Sequence, residues 1–157
     1  CKIYADLYGL DTISLRYFNV YSEDQCTSGA YATAIAHWKY SIKNNITPYI
    51  TGDGKQRRDM VHVNDIVSAN IFAMNHKDNF AGESFDVGTG DNISLNEIKE
   101  IIQQYHDVEF EYLDARPGEV ETTRARTGDL KSLGWEAQIK ITDGIKNCFR
   151  FVKLEGE

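Results

Sequence analysis

Two adjacent arginines stand in an acidic chain, in the stretch GDGKQRRDMVHVND (52–65), between a glycine-rich turn and an alternating apolar strand. At such a junction a side chain is held at the edge of a pocket, and a guanidinium offers a planar fork that matches phosphate oxygens two at a time. Arg58 is therefore a candidate anion ligand, although an Arg–Asp surface pair with Asp59 would leave the same three letters. A second loop, ARPGEVE (115–121), sets Arg116 and Glu119 on either side of a Pro-Gly turn. One ligand can then meet a cation for phosphate and a carboxylate for sugar hydroxyls. The third candidate is Asn19, directly after the apolar-aromatic LRYF. In an open parallel sheet, ligands bind beyond the carboxyl ends of the strands, where Asn19 would lie. An asparagine satisfied by neighbouring backbone is the alternative.

The elements that must position these residues alternate between strand and helix. TISLRYFNVY (12–21) is β-branched and aromatic, a buried-strand pattern. GAYATAIAHWKYSIKNN predicts a helix with Ile35, Trp38 and Ile42 on one face, and PYITG and DMVHVN predict short strands. DIVSANIFAMNH predicts a helix with Asn64 as N-cap and Ile66, Ala69, Ile71, Phe72 and Met74 as its apolar contacts. ESFDVGTG reads as a strand and its turn, and SLNEIKEIIQQY carries a capping box from Ser94 to Glu97. VEFEYLDA alternates as a strand, and ITDGIKNCFRFV predicts a closing helix with Thr142 as N-cap. Strands alternating with helices indicate an α/β architecture rather than a sandwich.

Composition narrows the function classes. A hydrophobic share of 41% with 26% charged residues predicts a globular fold rather than a disordered chain. No run approaches the length of a membrane span, so no membrane partner is expected. A net charge of −7 with no basic stripe argues against nucleic acid. The cysteines, Cys1, Cys26 and Cys148, are odd in number and show no CxxC, which suits a reducing cytoplasm rather than a disulfide framework. The histidines are not spaced with acids for a metal, so no metal is expected. His62 reads as a packed strand residue, and Trp38 and Trp135 as core.

Taken in order, LRYFNVY, GDGKQRRDMVHVNDIVSA, FDVGTGDNISLNEI, ARPGEVETT and LGWEA resemble the C-terminal half of the NAD-dependent nucleotide-sugar epimerase/dehydratase family, the extended short-chain dehydrogenases. SGAYATAIAHW is most similar to members acting as UDP-hexose 4-epimerases on N-acetylated sugars. The resemblance implies a UDP-sugar partner, with Asn19 at the diphosphate-sugar region and Phe18 against the nicotinamide of NAD. It implies that Tyr49, Ile50 and Thr51 recognise uracil, largely through backbone groups. Arg58 and Arg116 would clamp the diphosphate, Glu119 would hold the ribose hydroxyls, and Ala30 and Tyr31 would line the sugar pocket. Arg57 is expected at the surface. YSEDQ and TRARTGDL depart from the family's usual pattern, at a loop after Tyr21 and at a helix start.

What the sequence lacks bears on mechanism. It contains no G-x-x-G-x-x-G turn and no Tyr-x-x-x-Lys pair, and VGTGDN does not substitute. CKIYADLYGL reads either as a short helix of its own, capped by Gly9, or as the end of one already under way; on the resemblance, the tyrosine-lysine pair falls just upstream of Cys1. No catalytic residue is therefore assigned, NAD is expected to be bound mainly by an absent N-terminal half, and the chain alone is expected to be inactive. Residues 1–24 are expected to end a Rossmann-type NAD-binding domain and 25–157 to form the substrate-binding region, with strand 83–88 returning to the parallel sheet. Strands left without neighbours predict exposed apolar surface, marginal stability and self-association, and the intact protein is expected to be a cytoplasmic homodimer. A dehydratase, decarboxylase or reductase of the same fold, or a non-catalytic nucleotide-sugar-binding module, are the other readings.

Overall fold

The computed structural model describes residues 1–27 and 32–152. It opens with α1 (Lys2–Tyr8), β1 (Ser14–Tyr17), β2 (Val20–Tyr21), α2 (Ala34–Lys43) and β3 (Tyr49–Thr51). There follow β4 (Arg57–Arg58), β5 (Val61–His62), α3 (Val63–Asn75), β6 (Ser84–Val87), β7 (Ile93–Ser94) and α4 (Leu95–Gln103). β8 (Glu111–Leu113), α5 (Gly128–Leu133) and α6 (Ile141–Arg150) complete the chain. β1 pairs with β6, β2 with β5 and β3 with β8, all parallel, whereas β4 and β7 are antiparallel. The architecture is the mixed α/β expected. No helix among the described residues is long and apolar enough to cross a membrane.

The strand expected over 12–21 is broken in two at Asn19, which adopts a left-handed φ of 33°. Asparagine tolerates that region better than most residues because its short amide bonds locally. Here Asn19 Nδ2 donates to Asp59 O at 2.6 Å and to Thr123 Oγ1 at 3.2 Å. The bend separates the sheets: β1 lies beside β6 and β2 beside β5. β1 is also less buried than its composition suggests, with Arg16 and Tyr17 exposed.

Two helix starts differ from expectation. His62, not Asn64, caps α3, its Nδ1 accepting from Asn64 N at 3.2 Å. An imidazole nitrogen with its lone pair toward the helix does the work usually given to a short polar oxygen. Lys140, not Thr142, precedes α6, with no side-chain cap, because Asp65 already accepts from Gln138 N and Ile139 N at 3.0 Å and fixes the chain before the helix begins. The capping box of α4 is present as read: Ser94 Oγ accepts from Glu97 N, and the Glu97 carboxylate accepts from Ser94 N. Gly9 ends α1 at φ 63°. VEFEYLDA orders as a strand only over Glu111–Leu113, and all three residues are exposed.

The buried side chains fall into two clusters. One gathers Tyr21, Ile35, Trp38, Ile42, Ile50 and Met60 with the inner faces of α4 and α6. The other joins Val61, Ile66, Ala69, Phe80, Phe85, Val87, Leu130 and Trp135. Within α3, Ile66 and Ala69 are buried, but Ile71 and Met74, read as core contacts, lie on the opposite face and are 54% and 84% exposed. That face lies about half a helical turn from Ile66 and Ala69, and no element covers it among the described residues.

Candidate functional site

One cavity of about 530 Å³ lies between α2, β3, β4 and the 116–119 loop. It is within the range that holds a small organic ligand. Asn19, Tyr49, Ile50, Thr51, Arg58, Arg116 and Glu119, each singled out in the sequence, all line it. Phe18 does not; its backbone N donates to Val87 O at 3.0 Å at the end of β1. Ala30 and Tyr31 lie outside the described residues.

Alternation explains why the two arginines have different roles. In extended backbone successive side chains face opposite ways. Gln56, Arg58 and Met60 point into the cavity, and Arg57 and Asp59 point away. Arg57, expected at the surface, keeps its side chain 39% exposed and is also tied down: Nε donates to Asn92 Oδ1 at 2.6 Å, Nη2 to Asn92 O at 2.8 Å, and Nη1 to Glu97 Oε2 at 2.7 Å. It therefore clamps the β7–α4 junction. Asp59 does not pair with either arginine. Fully buried, its carboxylate accepts from Thr89 N, Thr89 Oγ1, Gly90 N and Ala125 N at 2.9–3.0 Å. Gly88 makes this approach possible, since a Cβ there would come within 2.5 Å of the Ala125 methyl and 3.0 Å of Asp59 Oδ2.

The same segment holds the second loop. Arg57 N donates to Glu121 O at 2.8 Å, Thr123 N to Arg57 O at 3.0 Å and Asp59 N to Thr123 O at 3.1 Å. This backbone zipper brings residues 116–123 alongside Arg58, so two stretches some sixty residues apart in sequence face one space. Arg58 Nη2 lies 3.5 Å from Glu119 Oε1, and Thr51 Oγ1 and Gln56 Nε2 each approach the Glu119 carboxylate at 3.4 Å. Contacts of that length are weak, so a better donor can displace them. Arg116 forms no ion pair among the described residues.

The β3 wall is held in place by two other cavity-lining side chains. Trp38 Nε1 donates to Tyr49 O at 2.7 Å and Gln56 Nε2 to Thr51 O at 2.7 Å. Each carbonyl keeps a second lone pair for a ligand. The sequence reading missed Gln56 and His37. The signal for Gln56 was its place two residues before Arg58 in the alternation. For His37 it was the helical spacing Ala34, His37, Trp38, all three of which line the cavity. The His37 ring meets Tyr49 edge-on, centroids 4.6 Å apart, and burial first and the Arg116 guanidinium second hold its imidazole below the ordinary range.

A family model described as the NAD dependent epimerase/dehydratase family matches residues 1–88. A provisionally named UDP-glucose 4-epimerase of Methanocaldococcus jannaschii is 37% identical over 97% of this chain, which spans 49% of that protein. The solved UDP-N-acetylglucosamine 4-epimerase of Methanobrevibacter ruminantium, in complex with UDP-N-acetylmuramic acid, superposes with a TM-score of 0.85 at 31% identity, covering 96% of this chain and 48% of that one. The Thermotoga maritima UDP-glucose 4-epimerase with UDP-glucose gives 0.85 at 32% identity, covering 96% and 48%. The chain thus spans about half the length of the relatives it matches.

Proposed function

The chain belongs to the NAD dependent epimerase/dehydratase family, and from that premise we propose that its cavity binds the nucleoside diphosphate part of a UDP-hexose or UDP-N-acetylhexosamine for epimerisation at C4. The observation that carries this reading is the convergence of Arg58, Arg116 and Glu119 on one space walled by β3. Two guanidiniums offer the fork geometry that fits diphosphate oxygens, which lysine would not reproduce. Glu119, held only by long contacts, is an acceptor available to ribose hydroxyls. Tyr49, Ile50 and Thr51 offer a wall of backbone groups to a flat base, and Ala30 and Tyr31 belong to the sugar end in the same reading.

When bound, NAD supplies the hydride acceptor and donor for oxidation and reduction at C4 of the sugar. Phe18 is this chain's proposed contact to it. The chain's own residues bind and orient the nucleotide sugar, and no proton-transferring group is assigned to them. A cytoplasmic homodimer belongs to the proposal, its self-association supported by the apolar residues Ile3, Leu7 and Tyr8 that α1 presents to solvent.

Calorimetric titration with UDP-glucose tests the reading, beside Arg58→Ala, Arg116→Ala and Arg57→Ala. Loss of either cavity arginine is expected to weaken binding by about 1.5–3 kcal/mol, roughly 10- to 150-fold. Arg57→Ala is expected to leave the affinity within about threefold, because its fork is committed to Asn92 and Glu97. Folded protein that binds no UDP-glucose, or binds it equally well without Arg58, would sink the proposal.

A further inference from the structure

Charge counting leaves the cavity one positive charge short of its proposed ligand. Its charged lining residues are Arg58, Arg116 and Glu119, a net of one positive charge, while a diphosphate diester carries about two negative charges. Among the described residues, one other lining side chain titrates near neutrality, His37, and it faces the space from the first turn of α2. We propose that His37 is a proton-linked ligand contact, neutral before the ligand arrives and protonated when a diphosphate enters, so that affinity for a nucleoside diphosphate sugar falls as pH rises through neutrality. This rests on the reading of the cavity as a diphosphate-sugar site.

The groups around His37 set the direction. From β3 the Tyr49 ring lies edge-on at 4.6 Å, and from the 116–119 loop come the Arg116 cation and the Glu119 carboxylate. From β4 comes Arg58, engaged with Glu119 at 3.5 Å, and Lys39 on α2 itself is bonded away to Glu23 O. Burial and the Arg116 cation both disfavour a protonated ring, and they hold it below the usual 6.5. A diphosphate against Arg116 cancels that repulsion and adds attraction, so the ring's proton affinity rises on binding. By linkage, a group whose proton affinity rises on binding takes up protons, and affinity declines with pH between its free and bound values.

UDP-glucose is the appropriate probe, because its diphosphate has no ionisation of its own near neutral pH. Calorimetry in buffers of different ionisation enthalpy, at pH 6, 7 and 8, reads protons taken up per ligand bound. The wild-type protein is expected to take up a substantial fraction of one proton near pH 7, with affinity falling by up to tenfold per pH unit. His37→Gln is expected to bind with neither effect. NMR titration of the His37 ring in the wild-type protein, with and without UDP-glucose, gives the same answer without a substitution: its midpoint must move up on binding. Arg58-dependent binding with no proton uptake, an unmoved midpoint, or uptake that persists in His37→Gln overturns the His37 assignment and leaves the cavity reading standing. Failure of UDP-glucose to bind at every pH overturns both.

Discussion

The two buried clusters differ in how completely their helices are covered. Around the cavity, α4 turns Ile98, Ile101 and Ile102 inward and α6 does the same with Ile141, Ile145, Cys148 and Phe149, all 8% exposed or less. Burial also pushes the Cys148 thiol up to about 12, so it stays a neutral packing group. In the other region α3 buries Ile66 and Ala69 but leaves Val67, Ile71 and Met74 in solvent, and α1 buries nothing. The cavity borders the sealed side through Trp38, Ile50 and Met60, whereas Arg116 and Glu119 reach it from an exposed loop. A pocket that must hold guanidiniums in a fixed geometry needs walls that do not shift, and close packing provides them.

The sharpest way to break this contrast is to open the sealed cluster. Phe149 is fully buried between α2 and α4, and Phe149→Ala is expected to cost about 3–5 kcal/mol, from lost transfer energy and the cavity left behind. Urea unfolding would measure it, and UDP-glucose affinity should fall with the folded fraction. Asp59→Asn comes next, at roughly 3 kcal/mol. The substitution keeps the shape, but one amide NH₂ must then face N–H donors that now meet carboxylate oxygens. It should also loosen the 121–123 zipper and weaken binding without touching the ligand. A loss below about 1 kcal/mol would mean that the loops do not depend on that carboxylate.

These sites were unequally legible in the sequence. Arg58, Arg116 and Glu119 could be singled out because turn glycines and residue type mark them locally, and Ser94 and Glu97 because a capping box spans three residues. Asp59 could not, since Thr89, Gly90 and Ala125 reach it from 30, 31 and 66 residues away. The ties of Arg57 were hidden for the same reason, since Asn92 and Glu97 lie 35 and 40 residues away. The bend at Asn19 was hidden because TISLRYFNVY has unbroken strand composition, and only the amide's bonds to Asp59 and Thr123 reveal why the chain turns there. Apolar periodicity located α3 but could not say which apolar face is covered.

A smaller effect separates local from tertiary support on the sealed side. Ser94→Ala removes the cap of α4 and is expected to cost about 1 kcal/mol. Its partner gives a pH signature. The hydrogen bond with Ser94, then Arg57, hold the Glu97 carboxyl below its ordinary 4.5. A depressed carboxyl contributes stability that is present above the unfolded value and lost as pH falls through the folded one. Wild-type stability should therefore decline below about pH 4.5, and Ser94→Ala should flatten that decline. An identical acid profile in the two proteins would remove Glu97 from the account.

The smallest effect is expected on the open side, and it tests whether that side is open in solution. Met74 is 84% exposed on the same face of α3 as Val67 and Ile71. Met74→Gln keeps helix propensity nearly constant, so any change reports the surroundings of the side chain rather than of the backbone. On an uncovered face the unfolding free energy should move by about 0.5 kcal/mol or less, and the midpoint should not depend on protein concentration. A loss above about 1 kcal/mol, with a midpoint that climbs with concentration in the wild type alone, would mean the face is buried against another copy. The contrast between the clusters would then belong to the single chain and not to the assembly.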